Sequence, residues 1–382
     1  MSEATRRIAI VFRGIGDIGG TNNTIADHAR HFRALGYEVD LIGEKVGKGG
    51  VTADMGRAVR IPRVLLLGRY KWRWFAARAD RVVARNGYDF VAGHGHHTRQ
   101  QVLSMHNCLH LAHEIVNNTP LVSRGSLVEI HDRILGAGRF HRCICNSQLM
   151  QADLSRRYAI EKDRLPVVYP GYRPEQFNRA DRERYREPVR AELGVGENLL
   201  IGLVTSGDYV KRGLDLLLNA YAGLEAGLRN RTRLLVLGKQ AGASAFVERA
   251  RSLGIAERMH FVAHTRAPER YFHALDICVH PARVEEFGQS VQEAMACGVP
   301  VLTTRRVGAA ELLSADWQSQ LAPAPTVENL SAGLRQLISD PARRAASAEA
   351  GLRAVAGNTE AANFASTRTI YRQAGLPAAP VS

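Results

Sequence analysis

The 382-residue sequence has no run of about 18 apolar residues, the length a helix needs to cross a bilayer, so it offers no transmembrane helix. Its first residues, MSEATRRIAIVF, lead straight into a strand pattern without a long apolar signal core, and a cytoplasmic location is expected. Cysteine is scarce: Cys108, Cys143, Cys145, Cys278 and Cys297 are scattered, and only Cys143-x-Cys145 is a close pair. Strand alternation points those two the same way, so reduced, structural thiols are expected rather than a disulfide framework. No internal repeat is present, only one βα rhythm used twice. The glycine-rich loop 13–23 (RGIGDIGGTNN) does not present G-x-G-x-x-G at the helix entry, and no P-loop lysine motif occurs. The dinucleotide and P-loop readings therefore lack their signatures. Acid is also short: 37 Asp and Glu face 51 Lys and Arg, for a net charge of +14.

That imbalance is uneven. Residues 1–186 carry 30 Lys and Arg against 18 Asp and Glu, and the remainder is nearly neutral. From Arg57 to Arg85 nine basic residues and one acid interleave with Tyr70, Trp72, Trp74 and Phe75. Three readings fit such a stretch: an Arg-rich solvated helix, a surface resting on anionic lipid, or a nucleic-acid track built on stacking and charge. Charge alone does not choose among them.

The chain is long enough for two α/β domains with full cores. A strand at 8–12, the glycine-rich loop, a helix at 24–35 and a strand at 37–42 begin a doubly wound sheet. Further strands are expected at 88–93, 103–105 and 142–146, with Ser147 capping a helix at 148–158. The charged run 178–192 reads as a linker. A second cycle follows: strands at 199–205, 233–238, 259–262, 277–280 and 299–303, with helices at 213–224, 243–253, 268–274, 327–338, 341–355 and 360–374.

The densest chemistry lies in VHPARVEEFGQSVQEAMACGVPVLTT. Glu285 and Glu293 stand eight positions apart around Phe287-Gly288, and Glu293 opens an apolar helix that stops at Gly298-Val299-Pro300. A loop entering a helix presents backbone N–H groups at the positive end of the macrodipole, which suits phosphate. Ionised carboxylates accept only, so they suit a sugar diol. Phosphate on amides with diols on flanking acids describes a nucleotide-sugar. Earlier, Lys211-Arg212-Gly213 puts two cations at a helix start, where they oppose the dipole and call for another partner.

This stretch resembles the signature of retaining GT-B glycosyltransferases: Glu, seven residues, Glu, with Phe-Gly after the first acid and Glu-Ala-Met-Ala-x-Gly-x-Pro at the second. The resemblance continues over most of the chain. Gly19-Gly20 matches the family's small-residue loop, where amides let a diphosphate and acceptor approach closely. Lys211-Arg212 stands where the family has its basic pair, although adjacent and in the order Lys then Arg, most like the lipopolysaccharide core glucosyltransferases.

The resemblance implies an α/β GT-B architecture, two Rossmann-like doubly wound domains facing a cleft. Residues 1–185 would bind the acceptor, 186–357 the nucleotide-sugar, and 358–382 would form a helix crossing back. It implies catalytic roles for His106, Lys211, Arg212 and Glu285. Donor binding would fall to Gly19, Gly20, Lys211, Arg212, His264, Thr265, Glu285, Phe287, Gly288, Gln289, Ser290 and Glu293. The cations and the 287–290 amides would stabilise the departing diphosphate, Glu293 would hold the ribose, Glu285 the donor sugar, and the base would lie near His264 and Thr265. His106 would orient the sugar or an acceptor hydroxyl, with His94, His96 and His97 lining the acceptor site. Both His94/His96/His97 and the i, i+4, i+7 set His106/His110/His113 have spacing open to zinc, yet no cysteine pair or acid stands at ligand spacing, and the family needs no metal.

The expected reaction is transfer of a hexose, from a UDP-sugar by preference and with GDP-mannose open, to a glycan or lipid-linked acceptor in lipopolysaccharide or polysaccharide synthesis. No cofactor is expected, since the nucleotide-sugar is a co-substrate. The basic first half fits an anionic acceptor at the cytoplasmic membrane face. Alternatives are a nucleotide-sugar epimerase or phosphorylase on the same fold, or a basic nucleic-acid-binding protein; the last leaves the nucleotide-sugar signature unexplained.

Overall fold

The computed structural model describes residues 6–15, 19–46, 50–122, 126–205, 207–239 and 241–380; Gly16, Asp17 and Ile18 of the glycine-rich loop lie outside them. The chain divides into two compact units. Unit 1 comprises 1–114, 118–171 and 360–382, and unit 2 comprises 115–117 and 172–359. These divisions differ from the expected ones after 185 and 357.

Unit 1 is built on six parallel strands: β1 (Arg7–Val11), β2 (Glu38–Gly43), β3 (Arg57–Arg60), β4 (Phe90–Gly93), β5 (Val102–Ser104) and β6 (Arg142–Ile144). They lie in the order β3-β2-β1-β4-β5-β6, with Ile8 registered against Val39 and Phe90. Continuous apolar runs such as Ile8-Ala9-Ile10-Val11, buried at every position, are what a sheet covered on both faces requires. The helix Gly20–Ala34 turns Ile25, Ala29 and Phe32 onto that sheet. Phe32 is fully buried, meeting Phe364 edge-on at 5.0 Å and stacking on Tyr371 at 5.7 Å. Both partners come from the last helix, Glu360–Gln373, which is further tied by Asn363 Oδ1 to His28 (2.8 Å) and by Glu360 to His31 (2.7 Å). Removing the Phe32 ring would cost about 3–5 kcal/mol and loosen this helix pair.

The first helix begins at Gly20, four residues earlier than expected. Thr21, Asn22 and Asn23 favour turns in isolation, but the packed face behind them overrides that weak preference. The helix Gln148–Tyr158 begins as expected, with Ser147 Oγ accepting from the Met150 amide at 3.1 Å.

Unit 2 repeats the plan with β7 (Leu199–Val204), β8 (Thr232–Gly238), β9 (Met259–Ala263), β10 (Ile277–Val279) and β11 (Val301–Leu302), in the order β9-β8-β7-β10-β11. The last strand is shorter than 299–303, since Pro300 has no N–H for a ladder. The expected linker 178–192 is instead helical over Arg182–Glu192. Its arginines explain why. Arg186 and Arg190 both bind the Asp276 carboxylate, at 2.6 and 3.0 Å, and Arg190 also donates to the carbonyls of Gly196 and Asn198 at 2.7 Å. Asp276 in turn accepts from the Leu200 amide at the start of β7 (2.8 Å). A charged run that reads as solvated is therefore the anchor of the sheet's first strand.

Among the described residues no helix is long and apolar enough to cross a membrane. All five cysteines are free, buried thiols.

Candidate functional site

In unit 2 the chain winds from β7 through β8 to β9 on one side, then crosses to β10 on the other side of β7. Loops leaving the carboxyl ends of β7 and β10 therefore part at a topological switch point, where open α/β sheets form a binding crevice. Lys211 and Arg212 leave β7, and 280–290 leaves β10.

Backbone contacts lock the two loops together. Gly213 has φ 70°, and a Cβ there would lie 2.0 Å from the Pro281 carbonyl oxygen, so only glycine fits. The Arg283 amide donates to the Lys211 carbonyl at 2.8 Å, and the Arg283 guanidinium holds Asp215 through two bonds of 2.8 and 2.6 Å. Asp208, at φ 52°, receives the Lys211 amide on its carboxylate (3.1 Å) and the Arg212 amide on its carbonyl (3.0 Å). A non-glycine residue in the left-handed region is a local strain that this loop sustains. Behind the second loop, Glu285 pairs through its backbone with Arg306 and Gly308, and the Ala309 amide donates to the Phe287 carbonyl at 2.6 Å. Gly288, at φ 91°, then turns the chain into the helix Gln289–Ala296.

The result is a compact charged cluster. Lys211 Nζ donates to Glu286 Oε2 at 2.7 Å, and Arg212 pairs with Glu285. His280 Nε2 lies 3.5 Å from the same Glu285 oxygen, and its Nδ1 lies 3.5 Å from Ser290 Oγ. Burial, reinforced by Arg212 and Lys211, draws the His280 pKa down to about 3. The imidazole is therefore neutral at pH 7. Its Nε2 faces the Glu285 carboxylate and its Nδ1 faces the Ser290 hydroxyl. Burial also draws the Arg212 pKa down, against the pull of Glu286 and Asp208.

The expected residues do not all meet at one point. Lys211, Arg212, Glu285 and Ser290 join this cluster. Glu293, half-buried one turn into the helix, answers to other neighbours: burial pushes its pKa up to about 7, Arg173 opposes that, and Glu269 adds to it. His264 and Thr265 follow β9 at the same edge of the sheet, and their contacts are local. Thr265 Oγ1 accepts from the Ala267 amide (3.1 Å), and burial lowers the His264 pKa with help from Lys239. Two members, Glu286 and His280, were not among the expected residues. Glu286 was legible only as the second letter of Glu-Glu, and His280 only as the end of a strand.

In unit 1, His94 leaves β4 and His106 leaves β5, and their rings meet through Nδ1 and Nε2 at 2.8 Å. The Arg13 amide donates to His96 Nδ1 at 3.0 Å, while its guanidinium pairs with Glu44 and lies over the Trp72 ring at 4.5 Å. Burial holds His97, His106 and His131 at pKa values of about 4 and puts His94 and His96 well below their ordinary value. The set His106, His110 and His113 does not converge: His110 binds Asp132 (2.8 Å) and His113 binds Thr119 (3.3 Å). Among the described residues no group of three or more His, Cys, Asp or Glu is placed to hold a metal ion. Gly19 is the N-cap of the helix Gly20–Ala34, whose N-terminus follows the glycine-rich loop.

The basic stretch begins on β3 with Arg57 and Arg60, and its later part is a helix, Lys71–Asn86, with Phe75, Ala76 and Ala79 inward and Arg73, Arg78, Arg81 and Arg85 exposed. Trp74 donates to the Pro62 carbonyl (3.3 Å) beneath Arg78.

Two family models match the chain in succession: Glycosyltransferase Family 4 over residues 18–176, and Glycosyl transferases group 1 over 187–353. Together with the two doubly wound units, they define the class: the chain belongs to the GT-B glycosyltransferases. The lipopolysaccharide glucosyltransferase WaaG of Escherichia coli K12 is 29% identical over 221 residues, which is 58% of this chain and 56% of that protein. The chain thus matches little more than half the length of that curated relative. The crystal structure of WaaG, a glycosyltransferase involved in lipopolysaccharide biosynthesis, superposes with a TM-score of 0.81 at 20% identity, covering 95% of this chain and 99% of that one. Anabaena Alr3699/HepE, solved with UDP and glucose, superposes at 0.76 with 17% identity, covering 96% and 100%. Within its class, this protein is similar to the lipopolysaccharide core glucosyltransferases.

Proposed function

We propose that this chain is a retaining, metal-independent glycosyltransferase that moves a hexose from a UDP-sugar to a glycan or lipid-linked acceptor of the cell envelope. The observation that carries the reading is the gathering of Lys211, Arg212, Glu285 and the N-terminus of the helix Gln289–Ala296 at the switch point of unit 2. Breaking a glycosidic bond to a nucleotide leaves negative charge on the diphosphate. Two cations and a helix N-terminus held in place stabilise that charge without a metal ion. In this reading Lys211, Arg212 and the amides of Phe287, Gly288, Gln289 and Ser290 take the phosphates. Glu285 takes the sugar hydroxyls, Glu293 the ribose diol, and the base lies against His264 and Thr265. From unit 1, His106 orients the sugar or acceptor hydroxyl, and the amides of Gly19 and Gly20 face diphosphate or acceptor. Transfer on one face, with a leaving phosphate oxygen taking the acceptor's proton, accounts for retention. The structure of the Anabaena relative with UDP and glucose supports UDP-glucose as the first donor to try.

A thermal-shift panel of UDP-, GDP-, ADP- and dTDP-sugars tests the donor, because a bound donor stabilises by mass action. Stabilisation by UDP-sugars is the expected result. Epimerisation or hydrolysis of the donor with no acceptor present would replace the transferase reading. The exposed arginines of Lys71–Asn86 support a cytoplasmic enzyme that works against an anionic membrane surface. Binding to anionic vesicles should then be lost in high salt, and equal binding to neutral vesicles would refute the electrostatic account.

A further inference from the structure

We infer that Glu286 is a positioning residue that aims the Lys211 ammonium at the diphosphate of the donor. The inference rests on the donor-site reading above and adds to it a residue outside the two-acid signature. Lys211 hangs on a flexible four-carbon stem whose ordering costs up to about 2 kcal/mol of rotamer freedom. Its stem starts on a loop held by Asp208 and Gly213, and its head ends on Glu286 Oε2 at 2.7 Å. The Glu286 side chain is 4% exposed and that of Lys211 14%, so the pair is a preset contact rather than a surface encounter.

The geometry fits a guide better than a competitor. An ammonium carries three donors, and the bond to Glu286 uses one, leaving two for phosphate oxygens. Arg212 is held in parallel by Glu285, one residue away. The two cations therefore stand side by side, each fixed by its own acid, at the edge where β7 and β10 part. The ordering cost of Lys211 is met in the free protein, which is the general route by which a preorganised site gains affinity.

A double-mutant cycle on the full chain, with UDP as the calorimetric probe, tests this. Lys211→Ala should weaken UDP binding at least about tenfold, and Glu286→Ala about fivefold or more. The two together should be no weaker than Lys211→Ala alone, within about twofold, because a guide has nothing to do once its lysine is gone. Glu286→Gln keeps an acceptor oxygen for Nζ and should stay within about threefold of the parent. It also serves if removing the buried acid outright prevents folding. Additive losses in the double variant, or parental affinity in Glu286→Ala, overturn the inference while leaving the donor site intact. Parental affinity in Lys211→Ala overturns the donor-site reading itself, and the inference with it.

Discussion

Acidification should unfold unit 1 well before ordinary carboxylate titration begins. Six of its histidines, His28, His94, His96, His97, His106 and His131, have pKa values lowered, with burial the largest cause in each. In an unfolded chain an imidazole titrates near 6.5. For a base whose folded pKa lies below the unfolded one, stability is fully present above about pH 6.5 and drains away as pH falls toward the folded value. His97, His106 and His131, each near 4, refuse a proton across that whole window. At pH 5 each withholds roughly 1.5 pH units of protonation, about 2 kcal/mol, so the three together cost about 6 kcal/mol relative to pH 7.5. His94 and His96 add to this. A domain holds about 5–15 kcal/mol in total, so the loss is decisive. The charged neighbours Asp80, beside His97, and Asp132, beside His131, reduce the effect and do not reverse it. Urea unfolding at pH 7.5, 6.5, 5.5 and 5.0 measures it, read by tryptophan fluorescence. Trp72 and Trp74 belong to unit 1 and Trp317 to unit 2, so variants retaining one set separate the transitions. Unit 2, with His273 near 4 and His280 near 3, should lose less. A unit 1 stability that changes by less than about 1 kcal/mol between pH 7.5 and 5.0 would refute the buried, neutral cluster.

UDP-glucose affinity should rise about tenfold between pH 6 and 8 as Glu293, whose pKa is about 7, becomes a carboxylate able to accept from the ribose diol; titration calorimetry of Glu293→Gln should show a flat profile. Gly213→Ala should cost at least about 1–2 kcal/mol from its φ of 70° alone, and the clash with Pro281 should part the two loops, lowering both the melting temperature and donor affinity. Asp276→Ala strands the buried Arg190 without a counter-ion and leaves Arg186 only Glu187 at 3.8 Å, and a loss of about 3–5 kcal/mol in chemical unfolding is expected. Lys211→Ala/Arg212→Ala should reduce sugar transfer by orders of magnitude with little change in far-ultraviolet circular dichroism.

Local signals carried most of the element assignments. Ile8 to Val11 and Leu199 to Val204 are apolar at nearly every position, and such runs bounded by glycine read as buried parallel strands wherever they occur. Ser147 declared a helix start through a side chain that reaches only three residues. The failures lie where local preference competes with a distant surface. Asn22 and Asn23 look like loop, yet stand in a helix because its inner face is packed. Residues 182–192 look like linker, yet form a helix because Asp276, about 90 positions away, takes both Arg186 and Arg190.

The candidate site divides in the same way. By itself the sequence determined that Glu285, Phe287, Gly288 and Glu293 form one segment, that a helix begins inside it, and that a basic pair precedes a glycine elsewhere. Each of those facts depends on neighbours within a few residues. Only the tertiary structure decided that Lys211 answers to Glu286 and Arg212 to Glu285, that a neutral His280 stands between Glu285 and Ser290, and that Glu293 keeps separate company. Those partnerships depend on strand order. β10 returns beside β7 after two strands have been laid on its other side, and that crossing brings together residues about 75 positions apart. Charge type and spacing are written in the chain, but which charges meet is set by the order in which the sheet is wound.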